Sequence, residues 1–315
     1  MEIIRARLIY NPTSGREEAK RKLGAILQRL EKSGIETSCH ATEGKGDATR
    51  AAAEAVERGF DMVISAGGDG TLNEIVNGLS PYEKRPSLGI LPLGTTNDFA
   101  RAHGIPKKWE DACDLITRRY TKPVDVGQAN DRYFINIAGG GSLTELTYEV
   151  PSKLKTMVGQ LAYYMKGLEK ITHLNPTRMR ITSEGVGDYD EEFMLFLIAN
   201  SNSVAGFDRL APEANTSDGL FDVLALRKCN LAEFLMVATA VLRGESIADN
   251  PHFIRFTTNR VVVESEHRVQ LNVDGEFGGT LPCTFNLLPS HLNVIMDERG
   301  ETKYSKHGSG RALQL

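Results

Sequence analysis

Cysteine is scarce and scattered in this sequence: Cys39, Cys113, Cys229 and Cys283 lie far apart, with no CxxC pair. Such a set builds neither a disulfide framework nor a zinc site, and reduced thiols are expected. The seven histidines are single and no HExxH occurs, which excludes zinc-protease chemistry. Long apolar runs are missing as well. The longest, 193–199, falls far short of the ~20 residues that a membrane helix needs. Met1-Glu2-Ile3-Ile4-Arg5-Ala6-Arg7 has no apolar signal-peptide core, so a cytoplasmic chain is expected. Nor is there an excess of one charge: Lys+Arg is 37 against Asp+Glu 41, a net −4. No nucleic-acid partner is expected from that balance.

What is present is an ordinary globular composition, 41% apolar and 25% charged over 315 residues. At about 150 residues per domain, this length suggests two domains. The 30 glycines exceed the usual ~7% share, and they are clustered.

The first third alternates apolar strands with amphipathic helices. Strands are expected over 3–10, 35–42, 61–66 and 88–93. Between them lie a helix with Leu23, Ile26, Leu27 and Leu30 on one face, stopped by Gly34, and a helix over 48–58 capped by Asp47. A helix follows 67–71, another opens at 94–98, and 109–120 is helical. Such alternation predicts a parallel sheet with helices on both faces, whose ligands sit at the carboxyl ends of the strands.

Near residue 125 the pattern changes. Strands are expected over 124–128, 132–138, 179–182, 193–200, 222–226, 260–264, 269–273, 284–288 and 291–296. Helical patterns interrupt at 154–172 and 231–242, and 298–315 reads as a polar tail. The fold expected is α/β: a doubly wound parallel-sheet domain over 1–127, rejoined by 289–315, and a mostly antiparallel β-sandwich over 128–288.

Three polar loops fall at strand ends in the first domain and therefore converge on one sheet edge. Gly67-Gly68-Asp69-Gly70-Thr71 is the richest. Its glycines let backbone N–H groups approach a phosphate, and the following helix adds positive partial charge. Asp69 is odd there unless Mg²⁺ or water intervenes; a tight turn with Asp as helix cap is the plainer reading. Asn11-Pro12-Thr13-Ser14-Gly15 and Pro92-Leu93-Gly94-Thr95-Thr96-Asn97-Asp98 are the other two. Known nucleotide fingerprints do not fit: GxxxxGK[ST], a GxGxxG opening the first helix, HRD and DFG are all missing.

Gly67-Gly68-Asp69-Gly70-Thr71-Leu72-Asn73-Glu74 with Asn77-Gly78, then 92–101, resembles the diacylglycerol kinase catalytic domain. The first loop and Asn272-Val273-Asp274-Gly275-Glu276 also fit, and the layout over about 1–296 resembles the soluble bacterial diacylglycerol kinases. The resemblance implies ATP as co-substrate, held between the two domains by Asn11, Pro12, Thr13, Ser14, Gly15, Thr42, Gly68, Asp69, Gly70, Thr71, Leu72, Asn73, Glu74 and Thr95. Asp69 would act through Mg²⁺ and water, with Asp98 and Asp125 in the same network. Glu276 would be the catalytic base, although a Glu after an Asp-Gly turn reads by itself as a solvated turn residue. A second Mg²⁺ site would use the Asp218 carboxylate and the carbonyls of Asn215 and Leu220, whose bare reading is an Asp-Gly turn.

The implied reaction is phosphorylation of the free hydroxyl of diacylglycerol to phosphatidic acid, in bacterial phospholipid turnover. Other lipid alcohols (a sphingoid base, phosphatidylglycerol, undecaprenol) stay open. NAD kinase shares the Gly-Gly-Asp-Gly-Thr core but expects a downstream Asn-Glu pair; here the one such pair is Asn73-Glu74. A non-catalytic binding module would need neither Asp69 nor Glu276. Lys153, Lys155, Lys166 and Lys170 with Leu154, Met157, Leu161, Tyr163 and Tyr164 could form a basic amphipathic face, suited to transient contact with an anionic membrane surface on its inner side, though a plain surface helix gives the same pattern. The family also implies a homodimer.

Overall fold

The computed structural model describes residues 3–15, 17–141, 176–201, 216–243 and 250–298. The chain forms two compact units, Met1–Val124 with Leu292–Leu315, and Asp125–His291.

The first unit is built on four parallel strands: β1 (Ile4–Tyr10), β2 (Ile35–Ala41), β3 (Met62–Gly67) and β4 (Ser87–Pro92). Their order is β2-β1-β3-β4, and Val294 joins in parallel beside Leu88 of β4. All six residues of β3 are buried, as a central parallel strand covered on both faces requires. The helices are α1 (Glu18–Lys32), α2 (Asp47–Glu57), α3 (Asp69–Leu79), α4 (Asp98–Ala102) and α5 (Trp109–Arg118). They pack as two pairs, α1 with α5 and α2 with α3. In α2, Ala48, Ala51, Ala52 and Ala55 form one buried stripe. Those small side chains let α3 come so close that a Cβ on Gly78 would lie 2.3 Å from the Thr49 carbonyl oxygen. That approach accounts for glycine after Asn77.

Asp47 does not cap α2. Gly46 holds the cap position, and the Asp47 carboxylate accepts the Glu43 N–H at 2.9 Å and pairs with His40 and Arg50. The Glu43 bond leads in holding its pKa below the usual carboxylate range.

The second unit is antiparallel. Its strands are β5 (Thr121–Ala129, entering from the first unit), β6 (Arg132–Phe134), β7 (Ile137–Gly140), β8 (Thr177–Ser183), β9 (Gly187–Ala199) and β10 (Phe221–Arg227). After α6 (Leu231–Arg243) come β11 (Phe253–Thr258), β12 (Arg260–Glu264), β13 (Gln270–Val273), β14 (Glu276–Thr280) and β15 (Cys283–Ile295), which leaves for the first unit. The main path runs β14-β13-β7-β9-β8-β12-β15, with β10 bridging β9 and β11. Phe134, Phe193, Phe196, Phe221 and Phe285 are fully buried in its core. The Phe134 ring stacks on Phe221 at 5.6 Å and lies where a side chain on Gly127 would stand.

Two expected outlines differ. The strand expected over 132–138 is broken between Phe134 and Ile137, because Asp274 takes the N–H groups of 135–137. The strands expected over 284–288 and 291–296 are one strand, β15, which turns at Ser290 with φ 50°. The division at 124/125 and 291/292 lies three residues outside the expected cuts on each side. Asp125 explains both shifts: its carboxylate accepts the Ser290 and Gly219 N–H groups, so both 125 and 290 belong with the second unit. Expectations at 142–175, including the basic face, and at Asn215 lie outside the described residues. Among the described residues, no helix is long and apolar enough to cross a membrane.

Candidate active site

In the first unit the chain leaves β1 for β2 on one side and then returns to β3 on the other. The carboxyl ends of β1 and β3 therefore flank a topological switch point, the crevice where open α/β sheets take ligands. The loop after β1 is a turn tied by its own side chain: Asn11 Oδ1 accepts the Thr13 N–H at 3.0 Å and the Thr13 hydroxyl at 2.9 Å. Gly15 follows with φ +55°, and a Cβ there would stand 2.0 Å from the Leu93 carbonyl oxygen. Ser14 Oγ donates to that same oxygen at 3.4 Å.

After β3, Gly68 caps α3, and Leu72 N–H is the first to bond back, to the Gly68 carbonyl at 3.1 Å. The amides of Asp69, Gly70 and Thr71 therefore head the helix without intrahelical partners. Gly70 is exposed and a Cβ there meets nothing within 4 Å, so this helix end is open to an anion. Gly67 is closed by contrast; its Cβ would meet Thr71 Oγ1 at 2.5 Å.

The loop after β4 lies against both. A Cβ on Gly94 would stand 2.3 Å from the Gly68 Cα, so the two loops touch backbone to backbone. Asn97, at φ 51°, holds the loop's shape by accepting the Gly94 N–H at 3.2 Å and donating to the Gly94 carbonyl at 2.9 Å. Thr95 and Thr96 are left exposed. Asp69 locks this loop to α3: its carboxylate accepts the Asn97 N–H at 2.8 Å and the Asp98 N–H at 2.7 Å. Asp98 in turn pairs with Arg101 at 2.7 Å.

Thr42 stands just past β2, its N–H on the Tyr10 carbonyl at 2.9 Å. Glu74 binds the neighbouring turn: its carboxylate accepts the Gly46 N–H at 2.9 Å and the Ala48 N–H at 3.0 Å, capping α2 from outside. Leu72 and Asn73 are buried side chains.

In the second unit, β13 and β14 are joined by a two-residue turn with Asp274 at φ 48° and Gly275 at φ 89°, the type I′ form that Asp-Gly favours. Glu276 is the first residue after it, exposed, and paired across the hairpin with Val273. Elsewhere in this unit, Asp218 Oδ1 accepts the Leu220 N–H at 3.0 Å in a short turn. Asp125, 2% exposed, fastens that turn through the Gly219 N–H at 2.9 Å, while its own N–H donates to the Thr216 carbonyl at 2.7 Å.

Residues 5–129 match the diacylglycerol kinase catalytic domain, and residues 146–296 match the YegS C-terminal NAD kinase beta sandwich-like domain. The diacylglycerol kinase of Bacillus subtilis (strain 168) is 56% identical over 295 residues, covering 93% of this chain and 96% of that protein. The chain belongs to the diacylglycerol kinase family. It is a lipid kinase, and a kinase family implies ATP as the phosphoryl donor. The Staphylococcus aureus (strain MRSA252) diacylglycerol kinase is 47% identical over 291 residues, 92% of each chain. The crystal structure of a diacylglycerol kinase from Bacillus anthracis str. Sterne superimposes with a TM-score of 0.79 at 28% identity, covering 95% of this chain and 99% of that one.

This diacylglycerol kinase family member brings the three polar loops together at one sheet edge, with Thr42 beside them. Asp69 is not the helix cap, a place that Gly68 holds. The Asp125 carboxylate holds the Gly219 and Ser290 N–H groups. Sequence reasoning missed Asn97, Asp274 and the capping use of Glu74. An Asn in a Gly- and Thr-rich loop is a signal for the first, since Asn tolerates φ > 0. The partners of the other two are remote in sequence.

Proposed function

We propose that this lipid kinase transfers the γ-phosphoryl group of ATP to the free hydroxyl of diacylglycerol, giving phosphatidic acid and ADP. The observation that carries the reading is the meeting of three βα loops around the open amino end of α3, a donor set suited to phosphate. The Gly70 and Thr71 amides would hold phosphate oxygens, and Asp69 would keep loop 94–98 against them. Glu276 would take the proton of the attacking hydroxyl as its oxygen forms the new bond to phosphorus and the bond to ADP breaks. Phosphoryl transfer asks a protein for alignment, charge neutralisation and a base, and little else.

Mg²⁺ would bind through oxygen, and the donors are of that kind. Among the described residues no group of three acidic or His/Cys ligands occurs. Single carboxylates such as Asp69 and Asp218 suit an ion that keeps its waters and borrows the rest of its shell from phosphate. Bound there, Mg²⁺ would neutralise phosphate charge; at Asp218, with Leu220 and Asn215, it would brace the turn. Diacylglycerol resides in a bilayer, so the reading includes transient docking on the anionic inner membrane surface from the cytoplasm, and a homodimeric state.

The test is transfer from labelled ATP with Mg²⁺ to diacylglycerol in anionic mixed micelles, with NAD assayed in parallel. Wild type should give labelled phosphatidic acid, and Glu276→Gln should lose it by about 10²-fold or more, the range for a removed base. Labelled NADP would favour the second reading, NAD kinase, which the match of 146–296 to an NAD kinase-like sandwich keeps in view.

A further inference from the structure

The turn before Glu276 is held by more than its own geometry. Asp274 Oδ2 accepts the Ile135 N–H at 2.8 Å, and Oδ1 accepts the Asn136 and Ile137 N–H groups at 3.0 and 2.9 Å. The Asp274 N–H returns to the Ile137 carbonyl at 2.9 Å. Three consecutive backbone donors on one carboxylate form charge-assisted bonds, roughly twice as strong as neutral ones. They interrupt a strand, so the sheet gives up ladder pairing at 135–136 to make them.

A second bond fixes the other half of the turn. Asn272 Oδ1 accepts the Gly275 N–H at 2.8 Å. The receiving segment is itself anchored: Asn200, 1% exposed, donates to the Ile135 carbonyl at 2.9 Å and to the Asp125 carbonyl at 2.9 Å. The Asn136 carbonyl accepts the Asn200 N–H at 2.8 Å. The hairpin tip therefore rests on a buried polar layer, and Glu276 is one residue beyond its fixed part.

We infer that Asp274 and Asn272 are positioning residues for Glu276, acting in phosphoryl transfer by fixing where the base stands and touching neither substrate. The inference rests on the reading of Glu276 as base. A general base must sit within hydrogen-bond reach of the proton it takes, and a displacement of about 1 Å costs about 10²-fold. A glutamate at the exposed end of an unanchored hairpin would not hold that tolerance.

The substitutions separate anchor from turn. Asp274→Asn keeps a residue that favours the type I′ turn before Gly, but sets an amide donor against the 135–137 donors. Asn272→Ala removes the acceptor for Gly275, and Asn272→Asp restores it. All are assayed in the full chain with ATP, Mg²⁺ and diacylglycerol micelles, beside Glu276→Gln. Asp274→Asn should lower kcat roughly 10- to 100-fold with the KM for ATP within about twofold. Asn272→Ala should fall in the same direction, and Asn272→Asp should recover most of the loss. Should Asp274→Asn fail to fold, the Asn272 pair decides. Wild-type kcat in Asp274→Asn and Asn272→Ala, with Glu276→Gln impaired, overturns the positioning role alone. A KM for ATP rising in step with the loss, or no recovery in Asn272→Asp, does the same. Full turnover in Glu276→Gln removes the base reading and this inference with it.

Discussion

His103 shows how one side chain ties pH to the stability of the first unit. It stacks on Phe99 with ring centroids 4.0 Å apart, and its Nδ1 lies 2.9 Å from the Phe99 carbonyl oxygen. A carbonyl only accepts, so the neutral ring carries its proton on Nδ1. Burial pushes its pKa from 6.5 down to about 4, outweighing that bond. Between those values the unfolded chain binds a proton that the folded chain does not. Stability contributed by neutral His103 is therefore complete above pH 6.5 and is lost as pH falls toward 4. With the ring partly exposed, the loss should be on the order of 1–2 kcal/mol. His103→Phe keeps a ring on Phe99 without the titration. Denaturant melts should then show a shallower pH dependence across that window than wild type; an equal slope would exclude His103 as the source. Cys113 and Cys283 sit at the other extreme: burial pushes both thiols up to about 12, so neither is a nucleophile near neutral pH.

At the level of elements, the close contact of loops 67–71 and 93–98 is what glycine permits. Gly94→Ala would drive a methyl group into the Gly68 backbone. Overpacking of this kind costs about 1–3 kcal/mol. On the proposed reading that these loops receive the nucleotide, it should raise the KM for ATP by about tenfold per 1.4 kcal/mol, with little change in the diacylglycerol KM. Equal effects on both substrates would mean that the loops serve the whole fold. The sequence exposes these loops because Gly, Thr and Asn stand out between apolar strands, and parallel topology alone brings them to one edge. It hides Glu74, whose partners, the Gly46 and Ala48 amides, are named only by the packing of α2 on α3. It hides Asp274 for the same reason: 135–137 reads as strand by composition, and only the tertiary fold reveals a carboxylate competing for its amides. The partners of Asp125, the Gly219 and Ser290 amides, are likewise remote in sequence and appear only in the fold.

For the whole molecule, the second unit is an insertion in the first, entered at 124/125 and left at 291/292. On the first unit's side of those crossings, the Met296 N–H bonds to the Tyr120 carbonyl at 3.1 Å, so its two chain ends are neighbours there. A protein of residues 3–124 joined by a short Gly-Ser linker to 292–298 should therefore fold and bind ATP. Its Tm should rise with ATP, by about 2.7 kcal/mol of stability at 100 times Kd, while it transfers nothing to diacylglycerol. A Tm indifferent to ATP would place nucleotide binding outside this unit. The same layout sets an order of events during synthesis. Val294 joins β4 beside Leu88, yet the ribosome makes it some two hundred residues later. At about 5–20 residues per second, the parallel sheet of the first unit waits roughly 10–40 s with that edge uncovered. An open apolar strand edge is a template for other chains, so the newborn protein is most at risk of aggregation while its second unit is still emerging.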